Sequence, residues 1–166
     1  MGKTIEVPAT LRIDEEDLVD LISTARSDEC GCAWWKYDQK EYDAAKEKLK
    51  EERGGEPIFH DDVLARILID GGALDLLDPE SDWHWSGLKP GETPWRAQII
   101  AEGCEPVGGD WHRVTVKDIA KAITLYARDG VANCCGADLH AIVENGDFWD
   151  ADAVIQYAMY GELIYG

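Results

Sequence analysis

Apolar residues recur at helical spacing along much of this chain. Leu18, Leu21, Ile22 and Ala25 share one helical face. Asp14 can cap that helix, and Glu15, Glu16 and Asp17 occupy its first turn, where the helix dipole favours carboxylates. The pattern predicts a helix from Glu15 to Arg26. Asp38 to Arg53 is a strong helix former with few apolar positions, namely Tyr42, Ala45 and Leu49, so it reads as a solvated surface helix ended by Gly54 and Gly55. Asp61 is the expected cap of a helix from Asp62 to Asp70, with Val63, Leu64, Ile67 and Leu68 inward. Ile119, Ala122, Ile123 and Tyr126 mark a helix from Val116 to Arg128, opened by Thr115 and Asp118 in the manner of a capping box. A short helix is predicted from Asp138 to Val143. Between Ala151 and Tyr160 only Asp152 and Gln156 are polar, the signature of a buried closing helix, with Asp150 as its cap and Gly161 as its stop.

Strand signals are shorter. They cover Thr4 to Ile13, interrupted by Pro8, then Ala73 to Leu77, Trp95 to Ala101, Trp111 to Val116, and a closing piece from Glu162 to Tyr165. Ser27 to Tyr37 is an aromatic-and-cysteine turn in which Gly31 breaks the pattern. The elements show no strand–helix–strand rhythm. They predict an α+β fold: a small antiparallel sheet packed by about five helices on one side. Residues 78–109 hold four of the six prolines and three of the seven tryptophans, Trp83, Trp85 and Trp95. They read as an insertion or extended hairpin arm within a single domain spanning 1–166.

Composition changes the picture chiefly through charge. A formal charge of −18 repels nucleic acid and anionic membranes and favours basic partners. The tryptophans and tyrosines argue against disorder. No apolar run is long enough to span a membrane, and residues 1–17 lack a signal peptide's apolar core. Gly2 could suggest myristoylation, but Glu6 stands where Ser or Thr is wanted. A cytoplasmic protein is expected, with Cys30, Cys32, Cys104, Cys134 and Cys135 as reduced thiols.

Candidate chemistry is sparse. Cys30-Gly-Cys32, Cys134-Cys135 and His140 offer soft ligands, but their spacing does not match a structural zinc site. No nucleophile elbow and no phosphate-cradling glycine loop occurs. With 34 acidic residues, no single carboxylate pair stands out as an acid/base dyad. No enzyme, metal or cofactor is expected. Charge distribution says more. Ile67 to Leu88 and Asp129 to Gly166 contain no Lys or Arg. Asp75, Asp78, Glu80 and Asp82 in the first stretch, and Asp147, Asp150 and Asp152 in the second, are the candidate electrostatic contacts. Trp83 and Trp85 are the candidate anchors for a protein partner.

Three stretches also carry a resemblance. DLVDLISTA and the turn after it, WHRVTVKDIAKAITLYARDG, and DADAVIQYAMYGELIYG together resemble an uncharacterised family of small proteins encoded by phages and integrative conjugative elements of gut bacteria. Gln156 to Glu162 matches the family's Gln-Tyr-Ala-Leu-Phe-Gly-Glu-like ending well, and Val114 to Lys121 matches its central-helix entry moderately. Cys30 to Trp35 has the residues of the family's turn in another order, and 78–109 looks inserted relative to it. The resemblance implies a mobile-element setting and supplies no catalytic residues. Together with the charge it suggests a counter-defence inhibitor, of anti-CRISPR or anti-restriction type, occupying a basic surface on a nucleic-acid-handling protein. The alternative is a metal- or small-ligand-binding protein built on the Cys, His and Trp turns.

Overall fold

The computed structural model describes residues 12–26, 34–89, 91–94, 99, 103–129 and 148–164. Within them lie five helices and five strands. In chain order these are α1 (Glu15–Ala25), β1 (Trp34–Tyr37), α2 (Gln39–Arg53), α3 (His60–Ile69), β2 (Ala73–Leu77), β3 (Trp83–Trp85), β4 (Pro106–Gly108), β5 (Trp111–Thr115), α4 (Val116–Arg128) and α5 (Phe148–Tyr160). The fold is α+β, as the sequence predicts.

β2 is the central strand of a three-stranded antiparallel sheet ordered β1-β2-β5. Its sequence, ALDLL, is buried at every position but Asp75, as a strand covered on both faces requires. Trp35 and His112 flank Leu76, and Tyr37 and Val114 flank Leu74. This face joins the core made by Leu18, Leu21 and Ile22 of α1, Leu64, Ile67 and Leu68 of α3, Ile119 and Ile123 of α4, and Val154 and Ile155 of α5. Trp34, Leu77 and Trp111 alternate onto the opposite face. There the β3-β4 ribbon packs: Trp85 meets Trp34 edge-on at 5.1 Å. Gly109 approaches Leu77 so closely that an added Cβ would lie 2.7 Å from its Cδ1.

Local chemistry accounts for most helix ends. Asp14 and Asp17 form a reciprocal capping box on α1, and Asp38 accepts from Lys40 and Glu41 at the start of α2. Thr115 donates its backbone N–H and its hydroxyl to Asp118, 2.9 and 2.6 Å away, which turns β5 directly into α4. Gly161, at φ +79°, ends α5 in the left-handed conformation.

Four expectations need correction. WWKY is a strand, β1, because it pairs with β2; four residues, none of them buried, carry too little pattern to announce it. α3 starts at His60, and its carboxylate cap is Asp62, which accepts the Phe59 N–H at 2.7 Å, while Asp61 pairs with Arg26. α5 starts at Phe148, so Asp150 lies inside its first turn and is not its cap. Residues 162–164 form no strand; the buried Gln156 instead accepts the Ile164 N–H at 3.0 Å. The strand expected at 4–13 falls largely outside the described residues, as do the loop, short helix and turn expected over 131–146 and most of the run 95–101, where Ile99 is helical.

Candidate functional site

Three carboxylates of the first basic-free stretch, Asp78, Glu80 and Asp82, follow one another at one end of the sheet. β2 ends at Leu77, and the chain turns through Asp78-Pro79-Glu80-Ser81-Asp82 into β3. Asp78 shapes that turn, accepting the Glu80 N–H on its side chain at 2.9 Å and the Ser81 hydroxyl on its carbonyl at 2.7 Å. The returning chain is bonded to the same place. The Asp78 N–H donates to the Asp110 carbonyl and the Gly109 N–H to the Asp82 carbonyl, both at 2.9 Å. Further along the ribbon, the Ser86 N–H donates to the Glu105 carbonyl at 2.8 Å. The result is an edge bearing Asp78, Glu80, Asp82, Glu105 and Asp110, with no Lys or Arg in 77–86 or 103–110. Glu80, Asp82, Glu105 and Asp110 are exposed and have no ion-pair partner among the described residues.

The cations are employed elsewhere. Arg26, Arg53, Arg66, Arg113 and Arg128 each pair with a carboxylate. Arg66 binds Glu15 of α1 and Glu52 of α2 at once, which raises the guanidinium's hold on its proton. Arg53 joins α2 to the buried Asp62 of α3. The Arg53 and Arg66 pairs tie helices together, and no described Lys or Arg pairs with Glu80, Asp82, Glu105 or Asp110.

The other predicted site residues are placed differently. Asp75 lies between Lys36 and Arg113 in register, with Arg113 Nη1 3.5 Å from its carboxyl, so it belongs to a balanced strip and not to the acidic edge. Trp85 is buried against Trp34 and Trp83 and cannot anchor a partner. Trp83 is half-buried and donates its indole N–H to the Pro79 carbonyl at 3.2 Å, bracing the acidic turn from beneath. Asp150 is fully buried and accepts from the Tyr126 hydroxyl at 2.5 Å; a partner cannot reach it. Asp152 is half-buried and accepts from Gln156 at 2.7 Å. Asp147 lies outside the described residues. The described parts of the two basic-free stretches lie apart. The ribbon packs on the Trp34 face of the sheet, whereas α5 packs on the other, where Tyr160 meets His112.

Glu105 and Asp110 do not stand out in the sequence. Their signal is the pairing of β3 with β4, which brings back residues distant along the chain. Cys104 is a buried thiol, and the described residues contain no group of three or more His, Cys, Asp or Glu side chains able to hold a metal. Cys30, Cys32, Cys134, Cys135 and His140 lie outside the described residues. An apolar cleft of about 200 Å³, lined by Ile13, Leu18, Ile69, Val116 and Ile119, holds one carboxyl, Asp14, which caps α1. It is smaller than usual ligand pockets and lacks convergent polar groups. No helix among the described residues is long and apolar enough to cross a membrane. Comparison with known proteins finds no matching family model, no matching curated protein and no matching solved structure.

Proposed function

We propose that this chain is a non-enzymatic protein-binding protein whose edge of Glu80, Asp82, Glu105 and Asp110 occupies a basic, nucleic-acid-binding surface on a partner protein. In this reading it serves a phage or other mobile element as a counter-defence inhibitor. The observation that carries the reading is that Glu80, Asp82, Glu105 and Asp110 are exposed with no ion-pair partner among the described residues, while five arginines are paired elsewhere. A row of uncompensated carboxylates presents to a basic groove the same charge as a run of phosphates, and it steers association at low ionic strength. Trp83 sets the shape of that edge from below; it is not the hot spot itself.

The test compares the wild-type chain with Glu80→Gln/Asp82→Asn/Asp110→Asn in binding assays against host lysate at low and high salt. The reading requires a partner retained at low salt, released at high salt and by competing duplex DNA, and lost with the triple variant. Retention that ignores both salt and the substitutions rejects it.

A further inference from the structure

A second cluster, remote from the acidic edge, surrounds the start of α3. His60 is the first residue of that helix and is half-buried. Its Nδ1 lies 3.0 Å from the Tyr42 hydroxyl of α2. The Tyr42 ring stacks on Tyr37 of β1 at 4.6 Å, and the imidazole stands edge-on to Tyr37 at 5.4 Å. The charged groups facing it are Arg26 at the end of α1 and Asp61 on α3 itself, and these two pair with each other. The imidazole therefore touches or faces each element meeting at this junction: phenols from β1 and α2, a guanidinium from α1, a carboxylate from α3.

We propose that His60 is an acid-responsive pin, whose protonation opens the junction of α1, β1, α2 and α3. The geometry disfavours an imidazolium in three ways. Burial against the two stacked phenol rings removes water from the imidazole, the Arg26 guanidinium repels a second cation, and the positive end of the α3 dipole sits at this residue. Asp61 acts in the opposite sense, but Arg26 already occupies it. Burial and Arg26 accordingly hold the imidazole below its usual value of 6.5. A group harder to protonate folded than unfolded leaves stability intact above pH 6.5 and removes it as the pH falls below that value. The loss is local to the junction, and the inference does not depend on what the acidic edge binds.

The experiment uses the full chain alone. The His60 imidazole is titrated by NMR while amide exchange at Val63 and Leu64, the first hydrogen-bonded amides of α3, is followed from pH 7 to 5, corrected for intrinsic exchange. The expected midpoint lies below 6.5. Each pH unit of that displacement sets a ceiling of about tenfold on the rise in the local opening constant. His60→Gln, which keeps a partner for the Tyr42 hydroxyl but cannot titrate, should abolish the rise. Tyr42→Phe should move the midpoint upward. A midpoint at or above 6.5, or opening that still rises with acid in His60→Gln, overturns the proposal. Should His60→Gln fail to fold, the wild-type titration decides alone: opening that does not track His60 protonation overturns it.

Discussion

Replacing Arg66 by Met tests whether the arginines are fixed inside the helical layer. The guanidinium contacts Glu15 at 3.1 and 2.7 Å and Glu52 at 2.9 and 2.6 Å. Its side chain is 12% exposed, against 28% for Glu15 and 53% for Glu52. Methionine retains most of the apolar stem and removes the charge. Glu52 can turn to water, so the loss falls mainly on the Glu15 contact between α1 and α3. Exposed pairs are worth about 0–1 kcal/mol, and breaking a buried one costs about 3–5 kcal/mol. Glu15 keeps part of its hydration, so an intermediate cost of about 2 kcal/mol is expected. For a chain of this size that lowers Tm by about 4–8 °C. Thermal denaturation of Arg66→Met, Glu15→Gln and the double variant gives the coupling directly. A Tm within about 1 °C of wild type, or additive single effects, refutes the reasoning. The arginine would then be a solvated cation that ties no helices together.

Three other perturbations have expected outcomes. Tyr126→Phe removes a donor to the buried Asp150 and should lower stability by about 1–2 kcal/mol, read by urea denaturation, without altering partner binding. Gly109→Ala should destabilise by about 2–4 kcal/mol, because the position has φ +75° and the new methyl would meet Leu77, Ser81 and Trp83 within 2.8 Å. Urea midpoints measure the loss, and an unchanged midpoint means that the ribbon is not seated on the sheet as described. The Thr115 hydroxyl and N–H hold Asp118 below its usual 3.8. Its contribution is therefore present above that value and lost as the pH falls below it. Thr115→Val should lower neutral-pH stability and flatten the acid limb, which denaturation at about pH 4, 3 and 2 would show.

Several elements were legible in the sequence because their cause is local. α4 begins where Thr115 and Asp118 cap it, and it buries the four residues its period marks. β2 could be read from an apolar run short enough for a strand and long enough to cross a sheet. What sequence missed is pairing. β1 is a strand through β2, and Asp110 joins the acidic edge through the chain's return beside Asp78. Asp150 misleads for the same reason. An acidic residue at a helix start reads as solvated, whereas Tyr126, brought from α4, gives it a hydrogen-bond donor inside. Asp61 and Asp62 are interchangeable as sequence, yet Arg26 takes one and the Phe59 N–H the other.

The net charge of −18 does not by itself distinguish a solubilising surface from a recognition surface, and the proposed reading rests on how that charge is distributed. A generic acidic coat would be similar on all sides. Along α2, Glu41, Asp43, Glu47, Glu51 and Glu52 are matched by Lys40, Lys46, Lys48, Lys50 and Arg53. On α1, Glu15 is tied to Arg66, and Asp17 is spent on the capping box with Asp14. At the β2–β3 edge Glu80, Asp82, Glu105 and Asp110 have no ion-pair partner among the described residues, and the turn that presents the carboxylates is braced by Trp83 and by the close seat of Gly109. In the proposed reading, recognition of a basic surface is the role of this edge. It also sets the two acidic stretches apart, since Asp150 helps to build the fold while Glu80, Asp82 and Asp110 face outward.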